Sequence, residues 1–476
     1  MSLQQNARKS LEGRSLPDEP RISSGKSSSE LEEIKDKDLE TAAPTPDPAP
    51  TDLTTFPEGG LQGWMTVAGC FLTLFCTSGT MQSFGVYENY YTLNSLSNFS
   101  PASISWIGSL QAFLLFGGGI FSGQLFDRGY FRWLMWGGSV LYVFSSFMLS
   151  LAKPQHYYQN FLAQGVGMGI GMGMVFLPSL SICSHYFRRR RAFAMGIVLS
   201  GGSLGAAISP ILLNHLFPKI GFAWAVRAQS FMFLGLLGIS NLIMKPRLPA
   251  RVGRKSGNSS AGAMDMGIKG MLKDLPYMVC TVGSFFVFWG LFVPCTHFTP
   301  DYFSHLIKFR LTSFLFSVFA CFLDFYLQLF CSKHDLPPNI VTYGITILNI
   351  TGVLGRTLPN YFADHFGAFN VTIITSLATG SLVFVLLASK SVPATVVFAI
   401  LYGFTSGGFA SLIGPVAATF AKNINEVGTR MGFLSFFVSF ALLTGSPISG
   451  ALLHSPEYFW VRRWCSARWC SCLGRF

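Results

Sequence analysis

The chain has 476 residues, of which 50% are hydrophobic and only 12% are charged, and its formal net charge is +12. A water-soluble chain of this length carries far more charge on its surface, so this composition excludes an ordinary soluble enzyme or binding domain. The basic residues cluster in short loops between apolar runs, so the positive charge does not indicate a nucleic-acid partner. The sequence therefore predicts an integral membrane protein.

Residues 1–56 differ in composition from the rest of the chain. They are rich in Ser, Pro, Glu and Lys and include the mixed-charge run Glu30–Glu40. Such a segment cannot bury enough apolar surface to offset its chain entropy, which predicts a disordered tail. It contains no apolar signal region, so we expect the first apolar span to direct membrane insertion.

Apolar runs of about twenty residues follow from about residue 60 onward. A helix of about 20 residues spans the roughly 30 Å apolar core of a bilayer. The pattern predicts an all-α membrane protein with spans at 62–84, 103–125, 133–152, 159–184, 192–217, 223–244, 276–295, 338–360, 371–389, 393–420 and 431–453.

Basic residues are concentrated in alternate loops, and this pattern predicts how the chain is oriented in the membrane. Arg128 and Arg132 follow the second span, the run Arg188–Arg191 follows the fourth, and a basic segment follows the sixth. Because positively charged loops stay in the cytoplasm, these loops and the N-terminus are predicted to be cytoplasmic. The first outer loop then holds Asn98 in an Asn-Phe-Ser glycosylation sequon, although such a short motif also occurs by chance.

The spans form two related groups. Residues 57–244 are predicted to form a first six-helix bundle, residues 245–275 a cytoplasmic linker, and residues 276–460 a second helix bundle. The segment Phe121–Arg132 is repeated as Leu358–Gly367 at the end of the corresponding later span. Two halves with matching breaks are typical of a secondary transporter whose substrate site lies between them.

One cytoplasmic loop has the composition of a gate. Gly123 permits close helix approach. Asp127, with Arg128 and Arg132 beside it, is predicted to sit at a helix N-terminus and to pair with bases of a neighbouring loop, such as the Arg188–Arg191 run, in one conformation only. The alternative is that the arginines only set the orientation of the loop on the cytoplasmic side of the membrane. The combination of Gly, Asp and Arg in this loop resembles the loop signature of the major facilitator superfamily.

Three further motifs give a narrower resemblance. The stretch Pro57–Phe71, the FGVY motif at Phe84–Tyr87, and His185–Gly205 are together similar to the fungal branch of the monocarboxylate porter family. The resemblance implies a facilitator bundle of two six-helix halves that moves small organic anions, often with a proton. It also leaves open an efflux carrier for a secondary metabolite or a drug-like compound, since fungal members carry varied substrates.

The resemblance assigns candidate substrate residues. Arg356 occupies the place of the arginine that holds the carboxylate in lactate carriers, and a cation inside a span is a functional candidate by default. Gln82 stands where those carriers have a lysine, and Gly352 stands where they have an acid. Gln82 and Asn349 remain able to hydrogen-bond a polar substrate. The alternatives are structural roles. In that interpretation Arg356 extends to the cytoplasmic end of its helix, and Gln82 and Asn349 form hydrogen bonds between helices.

Other functional classes have no support in the sequence. No nucleotide-binding loop, metal-ligand spacing or catalytic triad is present, which predicts no enzyme activity, no cofactor and no metal. The expected partners are a small-molecule substrate, a proton and the lipid bilayer, with no nucleic acid. We expect a monomer in the plasma membrane.

Two segments do not fit the repeat. Residues 295–324 insert an extra apolar run that would reverse the orientation of all later loops, and residues 461–476 are rich in Cys, Arg and Trp where a twelfth span is due. A retained intron and a frameshift are our interpretations. Two further alternatives follow. The last helix is missing or altered, or the protein has no activity.

Overall fold

A computed structural model describes residues 58–247, 270–290, 338–388, 392–421 and 426–452. Throughout this part of the chain the regular structure is helical, and no strand occurs in it. The prediction of an all-α membrane fold is confirmed. The N-terminal tail, most of the 245–275 linker, the 295–324 insertion and the 461–476 tail lie outside the described residues.

The first half of the bundle comprises residues 58–247. It begins with α1 (Gly60–Gln82), which continues after a single interrupting residue as α2 (Phe84–Tyr90) and as a π-helical turn, π1 (Tyr91–Ser95). The remaining helices are α3 (Pro101–Gly117), α4 (Gly119–Asp127), α5 (Phe131–Leu149), α6 (Tyr157–Asn160), the π-helical π2 (Phe161–Met168), α7 (Gly169–Ser181), α8 (Cys183–Tyr186) and α9 (Arg191–Ile243).

The element α9 comprises two helical spans that meet at a bend. Gly221 has a φ of 76°, a left-handed value that glycine tolerates because it lacks a Cβ atom. The chain changes direction there, three residues after Pro218. The predicted spans 192–217 and 223–244 therefore lie on the two sides of this bend.

The second half is built of α10 (Leu275–Gly290), α11 (Pro338–Phe366), α12 (Ala368–Ala388), α13 (Val392–Thr419) and α14 (Val427–Leu452). Arg430 on α14 is buried and forms a 2.9 Å ion pair with Asp274, immediately before α10. Its guanidinium also lies over the ring of Tyr277. These contacts hold α10 against α14.

Six stretches of the described chain are long and apolar enough to cross a membrane. They are Gly60–Gln82, Ser103–Asp127, Tyr157–Tyr186, Arg191–Ile243, Val396–Thr419 and Val427–Thr444. Each coincides with one or two of the predicted spans, and α5, α10, α11 and α12 occupy the positions of four others.

The two halves contact each other mainly along two helix interfaces. Helices α3 and α4 pack against α14, and α9 packs against α11. A Cβ atom at Gly123 on α4 would lie only 2.2 Å from the carbonyl oxygen of Gly428 on α14. At the other pair, a Cβ atom at Gly196 would lie 2.4 Å from the carbonyl oxygen of Arg356. Backbone-to-backbone approach at glycine is a common way for helices to associate in lipid.

Replacing Gly123 by alanine should lower stability because the added methyl group forces α4 and α14 apart, at a cost of about 1–3 kcal/mol for an overpacked contact. Gly235 on α9 is a matched control, since a Cβ atom there meets nothing within 4 Å. The measurement is the midpoint of thermal unfolding in detergent. Equal midpoints for G123A and G235A would contradict the packing described for this interface.

Candidate functional site

Asp127 joins the first half to the start of a helix in the second half. It is the last residue of α4, and its carboxylate accepts hydrogen bonds from the backbone N–H groups of Gly428 at 3.1 Å and Thr429 at 2.7 Å. The Thr429 hydroxyl donates to the same carboxylate. These are the second and third residues of α14, whose N–H groups have no acceptor within their own helix. Asp127 therefore caps α14 and places a negative charge at its positive end.

Asp364 makes the same contact in the opposite direction. It lies near the end of α11, and its two carboxylate oxygens accept from the N–H groups of Ala192 and Phe193, each at 2.9 Å. These are the second and third residues of α9. Each half thus supplies one aspartate that caps a helix of the other half. We call the end of the bundle that holds both contacts the aspartate end.

In the present conformation the Asp127 carboxylate lies at the N-terminus of α14, as predicted for a helix start, and does not pair with the Arg188–Arg191 run. That run ends at Arg191, the first residue of α9, which is the helix capped by Asp364. Arg191 is close enough to Asp364 for an electrostatic interaction. The reason is the crossed arrangement of the halves, in which each aspartate faces the helix start of the opposite half and not the loop of its own half.

Among the other predicted gate residues, Gly123 lies in the contact between α4 and α14. Arg128 follows directly on Asp127, Arg132 is exposed at the start of α5, and Arg188 is exposed just before α9. Their roles in gating remain predictions. Asn98 is exposed between π1 and α3, and the hydroxyl of Ser100 in its sequon accepts from Ser103 N–H at the start of α3.

The structure brings Arg356 and Gln82 together across the two halves. The Arg356 guanidinium on α11 donates to Oε1 of Gln82 at 3.0 Å and to the carbonyl oxygen of Leu199 on α9 at 3.0 Å. The Gln82 amide in turn donates to the carbonyl oxygen of Ser78. Arg356 lies about two helical turns before Asp364, or roughly 12 Å along α11. These two hydrogen bonds join α11 to α1 and α9 of the first half.

Small and polar groups surround this pair. A Cβ atom at Gly202 on α9 would lie 3.4 Å from both Arg356 Nη1 and Gln82 Nε2, so α9 passes directly beside them. The hydroxyls of Ser78 and Ser203 are buried and have no hydrogen-bond partner among the described residues. Buried hydroxyls without a partner are suited to accept or donate a bond to a ligand or a water molecule.

Asn349 lies on the same helix as Arg356, two turns further from the aspartate end. It is buried, and a spacing of seven residues places both side chains on the same side of α11. Between them, Gly352 approaches α9 and α13: a Cβ atom there would lie 3.3 Å from Ser203 Oγ and 3.5 Å from the Gly403 carbonyl oxygen. The acid that lactate carriers have here would meet both neighbouring helices.

A second intramembrane arginine, Arg227, has a different environment. Its Nε donates to the Ser150 hydroxyl at 3.2 Å, and its guanidinium lies over the ring of Trp224. All three residues belong to the first half. These contacts hold Arg227 within one half, so it is a useful comparison for Arg356.

Asp364 is the functional residue that the sequence analysis missed. The signal was present, because Phe126-Asp127-Arg128 and Ala363-Asp364-His365 occupy corresponding places in the two repeated segments. The repeat alone suggested matching loops. It did not show that the acid of one half caps the helix of the other.

Comparisons with known proteins agree with this architecture. The sequence profile described as the Major Facilitator Superfamily matches residues 70–355. The chain is 35% identical to the aspyridones efflux protein apdF of Emericella nidulans over 428 residues, which cover 90% of this chain and 78% of that protein. It is 36% identical to the MFS-type transporter dbaD of the same fungus, with 85% and 83% covered. It is 35% identical to the agnestins efflux protein AgnL12 of Paecilomyces divaricatus, with 82% and 80% covered.

Neutralising either aspartate should loosen only the helix that it caps. Each loses charge-assisted hydrogen bonds, which are worth about 1.5–3 kcal/mol before any compensation. By hydrogen exchange, D127N should speed exchange at residues 427–432 and leave residues 191–196 less affected, whereas D364N should do the reverse. Each variant is the control for the other. Equal acceleration at both helix starts in both variants would contradict the assignment of separate caps.

Proposed function

Because the chain belongs to the major facilitator superfamily, we propose that it is a secondary transporter that exports an organic anion by alternating access. It is a carrier and not an enzyme. Relatives named as efflux proteins for aspyridones and agnestins favour export of a secondary metabolite over the uptake of a small acid such as lactate. The anionic class of the substrate rests on the residues of the site.

The contact of Arg356 with Gln82 carries the proposal. A guanidinium inside a span is costly and is retained where it has a function. Here it is half-buried and donates to a neutral amide and a backbone carbonyl of the other half. A substrate carboxylate could take the place of these neutral acceptors. Its charge-assisted, bidentate hydrogen bonds to the guanidinium would be stronger than those to the amide and the carbonyl.

Proton-coupled lactate transport receives less support. The acid and the lysine that accompany the arginine in lactate carriers are replaced by Gly352 and Gln82, and the close approach of α9 and α13 leaves little room for a side chain at 352. The neutral polar groups near Arg356, including Asn349 and the two buried serine hydroxyls, favour a larger substrate with several hydrogen-bonding groups.

The two caps support an alternating-access mechanism. Both join opposite halves at the aspartate end, so this end is closed in the present conformation. A substrate can pass that end only if the caps break, and an occupied site between the halves shifts the equilibrium by its different affinity for the two conformations.

We place the aspartate end in the cytoplasm because the basic loops lie there, and the N-terminus with it. Asn98 then faces the outside, where glycosylation takes place. We assign the protein to the plasma membrane, working as a monomer with a small molecule as its partner. A product without activity is the alternative, and the transport measurement decides it.

Counterflow in proteoliposomes of the full chain tests the function. Vesicles are loaded with unlabelled benzoate, lactate or an aspyridone, and entry of the labelled compound is followed. R356Q should lower the rate about 10- to 100-fold, because it loses a charged hydrogen bond worth about 1.5–3 kcal/mol. R356K should recover only part of the rate, since an ammonium group cannot form the bidentate contact.

R227Q is the matched control, because it removes an intramembrane arginine whose partners all belong to one half. It should retain transport if the protein reaches the vesicles in equal amount. Counterflow by R356Q at the rate of the unmodified chain would reject the role of Arg356. Absence of counterflow for every compound in the unmodified chain would support the inactive alternative.

A further inference from the structure

The two halves carry different charges at the aspartate end. Among the described residues, the first half has eight bases and two acids at that end, whereas the second half has two bases and three acids. The repeat shows where the difference arises. In the first half, arginine occupies six loop positions: Arg128, Arg132 and the run Arg188–Arg191. The corresponding residues of the second half are His365, Phe369 and the run 424–427, and none of them is Lys or Arg.

Five of these arginines are exposed, and we call the surface that they form the basic rim. They are Arg128, Arg132, Arg188, Arg189 and Arg190. Ring contacts join the two loops of the rim: the Phe126 centroid lies 5.9 Å from that of Phe131 in one loop and 5.1 Å from that of His185 beside the other. Over both halves, the described acids at this end are half as many as the bases. This end therefore has a net positive charge, which is concentrated in the first half.

Helix α5 places the basic rim at the surface of the membrane. It has 19 residues, or about 28 Å, so it spans the apolar core of a bilayer. Its exposed apolar side chains recur every three or four residues and mark the side that faces lipid: Trp133, Trp136, Val140, Phe144 and Met148. Trp133 is 79% exposed and directly follows Arg132. Because exposed Trp side chains concentrate at the headgroup level, Arg132 lies at the level of the lipid phosphates.

We propose that the basic rim binds the headgroups of anionic phospholipids and so holds these lipids beside the first half. The rim borders a lipid-facing helix surface, and the planar guanidinium group matches the geometry of a phosphate. The cytoplasmic leaflet, where we place the aspartate end, is the anionic one. Orientation in the membrane would be served equally by bases in the loops of the second half, so it does not account for their concentration in the first.

The attraction is electrostatic and has a predictable size. A base close to an anionic membrane surface strengthens binding roughly fivefold at low ionic strength. Salt weakens this attraction, because charges separated by more than a Debye length are screened. The binding requires no property of the transported substrate, so it is measured without one.

Lipid retention by the full chain tests the proposal. The protein is placed in nanodiscs of phosphatidylcholine and phosphatidylglycerol at a ratio of about nine to one, and the lipids that remain bound on release are counted by native mass spectrometry. The unmodified chain should retain phosphatidylglycerol preferentially. R132Q/R189Q should lower this preference about 10- to 30-fold at low ionic strength. K153Q/K219Q is the matched control, because it removes two exposed bases at the opposite end of the bundle, and it should keep the preference.

A base added to the second half provides the converse test. H365R places an arginine at the exposed position that corresponds to Arg128, and it should raise phosphatidylglycerol retention roughly fivefold. No preference in the unmodified chain, an equal loss in R132Q/R189Q and K153Q/K219Q, or no gain in H365R would overturn the proposal. Displacement of the lipid by glycerol phosphate would also overturn it, because the rim would then bind a soluble anion.

Discussion

The structure depends on one interaction that occurs twice: a carboxylate at the end of one helix accepts the free N–H groups at the start of a helix in the other half. The first turn of any helix leaves such groups without acceptors, and leaving them unsatisfied near lipid costs several kcal/mol. Asp127 satisfies α14 and Asp364 satisfies α9. The glycine contacts bring the helices close enough for these bonds. The closed end is therefore stable as long as both acids keep their partners, and opening requires both helix starts to find other partners or water.

The two halves match at the caps but differ at the candidate substrate site. Gly432 approaches the carbonyl oxygen of Gly119, and Gly196 approaches that of Arg356. Gly119 and Arg356 thus occupy equivalent places in the two halves, but only the second half has a side chain there. The guanidinium extends from this position to Gln82 and Leu199. Under the proposed function, this symmetric frame with one inserted cation would give the carrier a gate that both halves share and a binding group that only one half supplies.

Much of the fold could be predicted from the sequence because the length of an apolar run is a direct physical requirement of the bilayer. The spans fell on helices for this reason, and the bend at Gly221 separated two of them as expected. The partner of Asp127 could not be predicted in the same way. Gly428 is 301 residues away, and its contribution is a backbone N–H that has no signature in the sequence. By charge alone, the nearby arginine run is the expected partner of Asp127. Arg356 and Gln82 were predicted from the resemblance, and only the structure shows that they touch. Asn349 lies on the same side of α11 as Arg356.

The most direct test of this account measures the distance between the halves at the aspartate end. Spin labels at R132C on α5 and N370C on α12, both exposed positions, are introduced into a cysteine-free background, and the distance distribution is recorded by pulsed electron paramagnetic resonance in nanodiscs. With both caps removed in D127N/D364N, the population should move from the short distance of the closed conformation to longer distances, and each single variant should move it part of the way. An unchanged distribution in the double variant would show that the two carboxylates do not hold the halves together.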